Sequence, residues 1–183
     1  FSNSVTDNFG TVGGGYLNQA GDNAGTVSDQ FGSVVAGGMV NKASGGGSSV
    51  VGGQNNTASG GSSSVGGGYY NTASGSSSTI AGGSRNLALG VYSSVVGGQD
   101  DTASGLNATV GGGYHNVASG YYSSVVGGAN NRTSAYYSGI LNGAANAVHG
   151  SYSSIAGGYA HTIFSTGSYS FIGGAKLNKI TGD

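Results

Sequence analysis

Asp100 and Asp101 are the only adjacent carboxylates in the chain, and a pair of acids within reach of a substrate is what general acid–base chemistry requires. Both fall at a turn of the repeat described below, where a solvated corner accounts for them better than a catalytic pair. The histidines, His115, His149 and His161, stand at different places in different repeats, so no face gathers the ligands of a metal centre. Serine is abundant, but no G-x-S-x-G elbow and no nearby Asp or His partner marks one as a nucleophile. Glycine pairs also occur in calcium-binding nonapeptide rolls, but those depend on a regular aspartate, and this chain holds six Asp and Glu in all. No enzymatic activity, no cofactor and no metal are therefore expected.

Tyrosine offers more. Tyr92, Tyr122, Tyr137, Tyr152 and Tyr169 share one position of the repeat, six residues after an asparagine before the insertion near residue 165, with Tyr121 and Tyr136 beside them. A tyrosine has a large apolar ring with a polar tip, so such a row can stack on sugars or bury against protein. It can equally form a ladder that seals a corner or a seam between subunits, which is the reading favoured from sequence.

The elements that must position these side chains follow from periodicity. Gly-Gly pairs begin at Gly37, Gly52, Gly67, Gly82, Gly97, Gly112, Gly127 and Gly157, Asn142-Gly143 fills the gap, and Gly173-Gly174 follows one residue late. A repeat of this kind signals a stacked architecture. The consensus S-S-V-V-G-G-x-x-N-T-A-S-G-x-x reads as strand, turn, strand, turn, with Gly and Asn supplying the positive φ of tight corners. Glycine density and β-branched columns exclude helix. The expected fold is all-β, a parallel β-solenoid of about eleven coils of ~15 residues. It forms one domain over 1–183, with an irregular start over 1–11 and a loop insertion over 21–31.

An apolar column runs Val12, Val35, Val50, Val65, Ile80, Val95, Val110, Val125, Ile140, Ile155 and Phe171, and its partner column runs from Ala20 and Ala43 to Ile163 and Ile180. These two columns are the expected core. Side chains alternate along a strand, so the next column, which includes Val51, Val96, Val126, Leu141 and Ile172, must point away from that core. It is never charged. A strand apolar on both faces is covered on both faces, and a coil this thin cannot cover itself. These residues are therefore the expected interface of a homo-oligomer. A further column, Asn18, Asn41, Asn56, Asn71, Asn86, Asn116, Asn131 and Asn146, with Asp101 and His161 as departures, is expected to form a ladder of amides bonded from coil to coil.

Composition excludes other classes. Charged residues are 6% of the chain, against about a quarter in ordinary soluble domains. Five Lys and Arg make no basic stripe for nucleic acid. No run approaches the roughly 18 to 20 apolar residues of a membrane span, so no membrane insertion is expected of this segment. The absence of cysteine leaves the redox compartment open.

The motif Ser124-Val125-Val126-Gly127, with later alanines such as Ala118, resembles the head repeats of trimeric autotransporter adhesins of the Yersinia adhesin type. The doubled glycine and N-T-A-S-G depart from that family's pattern. Similar repeats occur in phage tail fibres. The resemblance implies a left-handed β-roll, a homotrimer, and a place outside the cell or on a virion surface. The expected function is non-enzymatic adhesion to a host protein, matrix or glycan surface. A receptor-binding segment of a phage fibre and a subunit of an extracellular structural filament are the alternatives.

Overall fold

The computed structural model describes residues 2–23 and 31–182. Within them the chain winds as a parallel β-solenoid of about eleven coils. Each regular coil contributes two strands of two residues, for example Ser124–Val125 and Arg132–Thr133. One sheet stacks twelve such strands from Ser4–Val5 to Lys179–Ile180, and the other stacks eleven from Thr11–Val12 to Phe171–Ile172. All pairings are parallel, and through the regular part each residue sits beside the one fifteen positions later, as Val110 beside Val125. A third line of isolated parallel bridges runs along the corner between the strands, from Tyr16 and Met39 to Tyr159 and Lys176. At a strand spacing of ~4.8 Å, eleven coils make a rod on the order of 50 Å long.

The strands are short because corners come every few residues. At one corner the second glycine of the pairs from Gly37–Gly38 to Gly157–Gly158 is held at positive φ: Gly128 has φ +91°, and a Cβ there would collide with the carbonyl oxygen of Gly143 in the next coil. The other positive-φ corner positions, the residue before the ladder asparagine and the position of the tyrosine row, hold the expected glycine or asparagine in only some coils, as at Gly47, Asn55, Asn107 and Asn130, and elsewhere hold residues such as Leu17, Val40, Tyr70 and Arg85. Backbone bonds to the neighbouring coil pin these corners, as in Arg85 N–H to Tyr69 O (2.8 Å) and Tyr137 N–H to Tyr121 O (3.0 Å). Coil-to-coil bonding thus overrides local preference.

The core is one side chain deep from each sheet. Val35, Val50, Val65, Ile80, Val95, Val110, Val125, Ile140 and Ile155 face Ala43, Ala58, Ala73, Ala88, Ala103 and Ala118, all fully buried. Toward the C-terminus the small column becomes Thr133, Val148 and Ile163, which are also fully buried. Burying each Val or Ile contributes about 1.5–3 kcal/mol.

The asparagine column closes one side of this core as an amide ladder. Asn71 Nδ2 donates to Gly67 O in its own coil and to Gly83 O in the next, both at 2.9 Å, while its Oδ1 accepts the Asn86 N–H at 3.0 Å. The pattern repeats through Asn131, except at Asp101. It is longer than the sequence reading: Asn3 Oδ1 accepts from Asn18 N–H, and at the far end Asn178 Nδ2 donates to Gly174 O.

Three expectations are revised. Residues expected to form an irregular start already belong to the repeat, since Ser4–Val5 pairs with Gln19–Ala20 and Thr11–Val12 with Val34–Val35. The insertion before the last coil adds two residues, not one, so Ile155 pairs with Ile172. In a strand a one-residue slip exchanges the two faces. Ile172 is therefore in the core at 5% exposure and Phe171 lies outside at 65%, the reverse of their assignment. Gly173 ends the outward column. The expected loop over 21–31 lies mostly outside the described residues.

Candidate functional site

Four of the five tyrosines in the row form one continuous stack. Tyr122 and Tyr137 lie with ring centroids 4.8 Å apart and planes 2° from parallel, Tyr137 and Tyr152 at 5.2 Å and 12°, Tyr152 and Tyr169 at 5.0 Å and 4°. Beside them Tyr121 and Tyr136 meet edge to face at 5.1 Å. Tyr92 shares the column but not the stack, because Asn107 stands between it and Tyr122. All five tyrosines have φ between 50° and 60°, a region that costs a bulky residue about 1–3 kcal/mol. Each stacked pair returns about 0.5–1.5 kcal/mol.

Stacking has a chemical consequence. The inner faces of Tyr137 and Tyr152 are covered by neighbouring rings, so these residues offer edges and hydroxyls to the outside. Tyr169, 80% exposed at the end of the row, and the isolated Tyr92 keep more open surface.

A second cluster occupies the corner that holds the ion pair. Arg85 Nε meets Asp100 Oδ1 at 2.7 Å and a second guanidinium nitrogen meets Oδ2 at 3.0 Å, in adjacent coils. Gln99 donates to the same carboxylate, and His115 lies 3.7 Å from it with Tyr114 edge-on. These hydrogen bonds, Arg85 first, hold the Asp100 carboxyl down to about 2. Arg85 is raised in turn by the same bond.

Asp101 does not sit in a solvated corner. It is fully buried as a rung of the asparagine ladder, with Oδ1 accepting the Asn116 N–H at 2.7 Å and Oδ2 meeting no partner. In every neighbouring rung that position is an amide donating to two glycine carbonyls, here those of Gly97 and Gly113 by the register of the ladder. Desolvation pushes the Asp101 carboxyl up, against the bonds from Asn116. Since the folded value exceeds the unfolded one, its contribution to stability is complete below the unfolded pKa and is lost as pH rises through the folded pKa. Asp100 behaves oppositely, its contribution being lost as pH falls toward about 2. Asp101→Asn should accordingly raise stability at neutral pH by about 1–3 kcal/mol, with little gain near pH 3. Urea unfolding at the two pH values checks this, and an equal gain at both would remove the carboxyl from the explanation.

The remaining histidines fall in different columns, His161 in the asparagine ladder as its spacing predicts. His161 is a fully buried ladder rung whose Nδ1 accepts the Asn178 N–H at 3.1 Å, which places its ring proton on Nε2. His149 Nδ1 lies 2.7 Å from Ser134 Oγ, one coil away. The sequence reading found no serine with such a partner, because contact across fifteen residues is invisible without the coil register. No carboxylate orients this histidine in any described contact, so the third member of a catalytic triad does not stand beside the pair. Among the described residues no three His, Cys, Asp or Glu side chains converge as metal ligands.

The outward apolar column lies in the open on the single chain, with Val51 61%, Val96 57%, Val126 56% and Leu141 57% exposed. Beside it runs the first glycine of each pair. At Gly37, Gly52, Gly82, Gly97 and Gly127 an added Cβ meets nothing within 4 Å, and none of these residues has a positive φ. Neither backbone conformation nor contact within the chain requires glycine at these five positions, whereas Gly112 in the same column is held at φ +149°, and Asn142 occupies the column in a later coil. No known protein family matches the chain, and no curated protein does.

Proposed function

We propose that this chain is a non-enzymatic adhesive and structural rod that works as a homo-oligomer on an extracellular surface. It packs through the column of Val51, Val96, Val126 and Leu141, and the adhesin-like repeats argue for three copies around one axis. The observation that carries the reading is the row of unforced glycines beside that exposed apolar column. A residue kept small in coil after coil, with open space around it in its own chain, fits the close approach of another backbone.

Three parallel rods present each outward feature three times and in register at every coil. Weak contacts from the tyrosine edges to a host protein or glycan then gain by multivalency without a deep pocket. The surface carries neutral hydroxyl and amide groups, which suits a projecting fibre of a cell or a virion.

The test is Val126→Asp. It places a charge where the facing chain lies, and burying an unpaired charge is prohibitive, so the variant should sediment as a single chain while keeping its β circular dichroism. A mass equal to that of the wild type, in light scattering at the same concentration, would sink the packing assignment.

A further inference from the structure

We propose that the tyrosine stack is an oxidative cross-linking site, in which neighbouring rings of Tyr122, Tyr137, Tyr152 and Tyr169 join as dityrosine within one chain. Three observations carry it. The rings are held in consecutive coils at 4.8, 5.2 and 5.0 Å. All four are roughly half exposed or more, so each side chain has room to tilt outward toward its neighbour. The chain has no cysteine, no tryptophan and a single methionine, which leaves phenols as its main oxidisable groups.

The reaction needs a one-electron oxidant, of the peroxidase class acting with hydrogen peroxide. Each of two phenols gives up one electron and its hydroxyl proton to become a phenoxyl radical. The radicals join through the ring carbons ortho to oxygen, and each new bond carbon passes its hydrogen to its own oxygen as the ring becomes aromatic again. Two tyrosines together lose two protons and two electrons, and one hydrogen peroxide is reduced to two waters. A radical on one ring finds its partner already a coil away, so the intramolecular step outruns encounter between rods. Each ring has two carbons ortho to its oxygen, so four rings in a row close into three links at most, each welding one coil to the next.

The experiment compares the wild type with Tyr137→Phe/Tyr152→Phe after treatment with horseradish peroxidase and hydrogen peroxide. Phenylalanine keeps the ring and its stacking but has no hydroxyl to oxidise, so the double variant should fold as the wild type does. Its row retains no adjacent pair of phenols. Expected for the wild type are dityrosine fluorescence, single-chain mobility in denaturing gels, and linked peptides that map to neighbouring members of the row. The double variant should lose most of that fluorescence, keeping only what Tyr69–Tyr70 and Tyr121–Tyr136 supply. Links found only between chains, links mapped only outside the row, or undiminished fluorescence in the double variant would each overturn the proposal.

Discussion

Gly97→Gln should leave the fold of the single chain unchanged and abolish its association. Within the chain a Cβ at this position meets nothing, and the backbone there is not left-handed, so the new side chain has space and no strain. In the proposed assembly the same side chain enters the gap between two backbones. An overpacked site costs roughly 1–3 kcal/mol, and three copies each contribute one, so association should weaken by a hundred-fold or more. Sedimentation velocity reads the mass and circular dichroism reads the fold. A variant that remains fully assembled would show that the glycine row has some other origin, whereas one that loses its β signal would contradict the empty space seen around Gly97. The coil of Asn142, where an amide already occupies this column, is where the facing chain must leave room.

Asn71→Ala should be the most destabilising single change in the regular coils. The buried amide makes three hydrogen bonds of its own, to Gly67 O, Gly83 O and the Asn86 N–H. Truncation to alanine leaves Gly67 O and the Asn86 N–H without partners in a closed interior, at about 1–3 kcal/mol for each unsatisfied group, while Gly83 O keeps the Tyr69 N–H. A loss of roughly 2–6 kcal/mol is expected, measured by denaturant unfolding. Thr72→Ala, one residue on and partly exposed, is the control, with an expected change within about 0.5 kcal/mol. Because coils interact mainly with their neighbours, the break in Asn71→Ala should also lower cooperativity and separate the unfolding of the two flanking segments. A loss no larger than that of the control would mean that the ladder contributes little beyond what water would offer.

Periodicity made most of the fold readable before any coordinates. The fifteen-residue spacing gave the coil, the Val and Ala columns gave the core, and the asparagine column gave a ladder that the structure contains with two further members. What it missed follows from counting and from distance. Ile172 and Phe171 exchange places because an insertion read as one residue is two, and alternation makes the face depend on odd or even. Asp101 reads as a surface acid by type, but its column determines its burial, and its isosteric fit to asparagine explains how it got there. The Ser134–His149 and Arg85–Asp100 contacts join residues fifteen apart that no local motif links. The tyrosine row was visible as a column. That its inner members hide their faces depends on ring orientation, which a string of letters does not hold.

The asparagine ladder also has a mechanical meaning. Tension along the rod passes through every rung in series, so the rung with the fewest crossing bonds bears the greatest share of strain. Where the neighbouring amides send hydrogen bonds both within their coil and across to the next, Asp101 has an oxygen that grips nothing. His161 is a second such rung, its buried Nε2 likewise without a partner, so the fibre carries two weaker rungs among its described coils, one near its middle beside the Arg85–Asp100 clasp that bridges the preceding gap and one toward its C-terminal end.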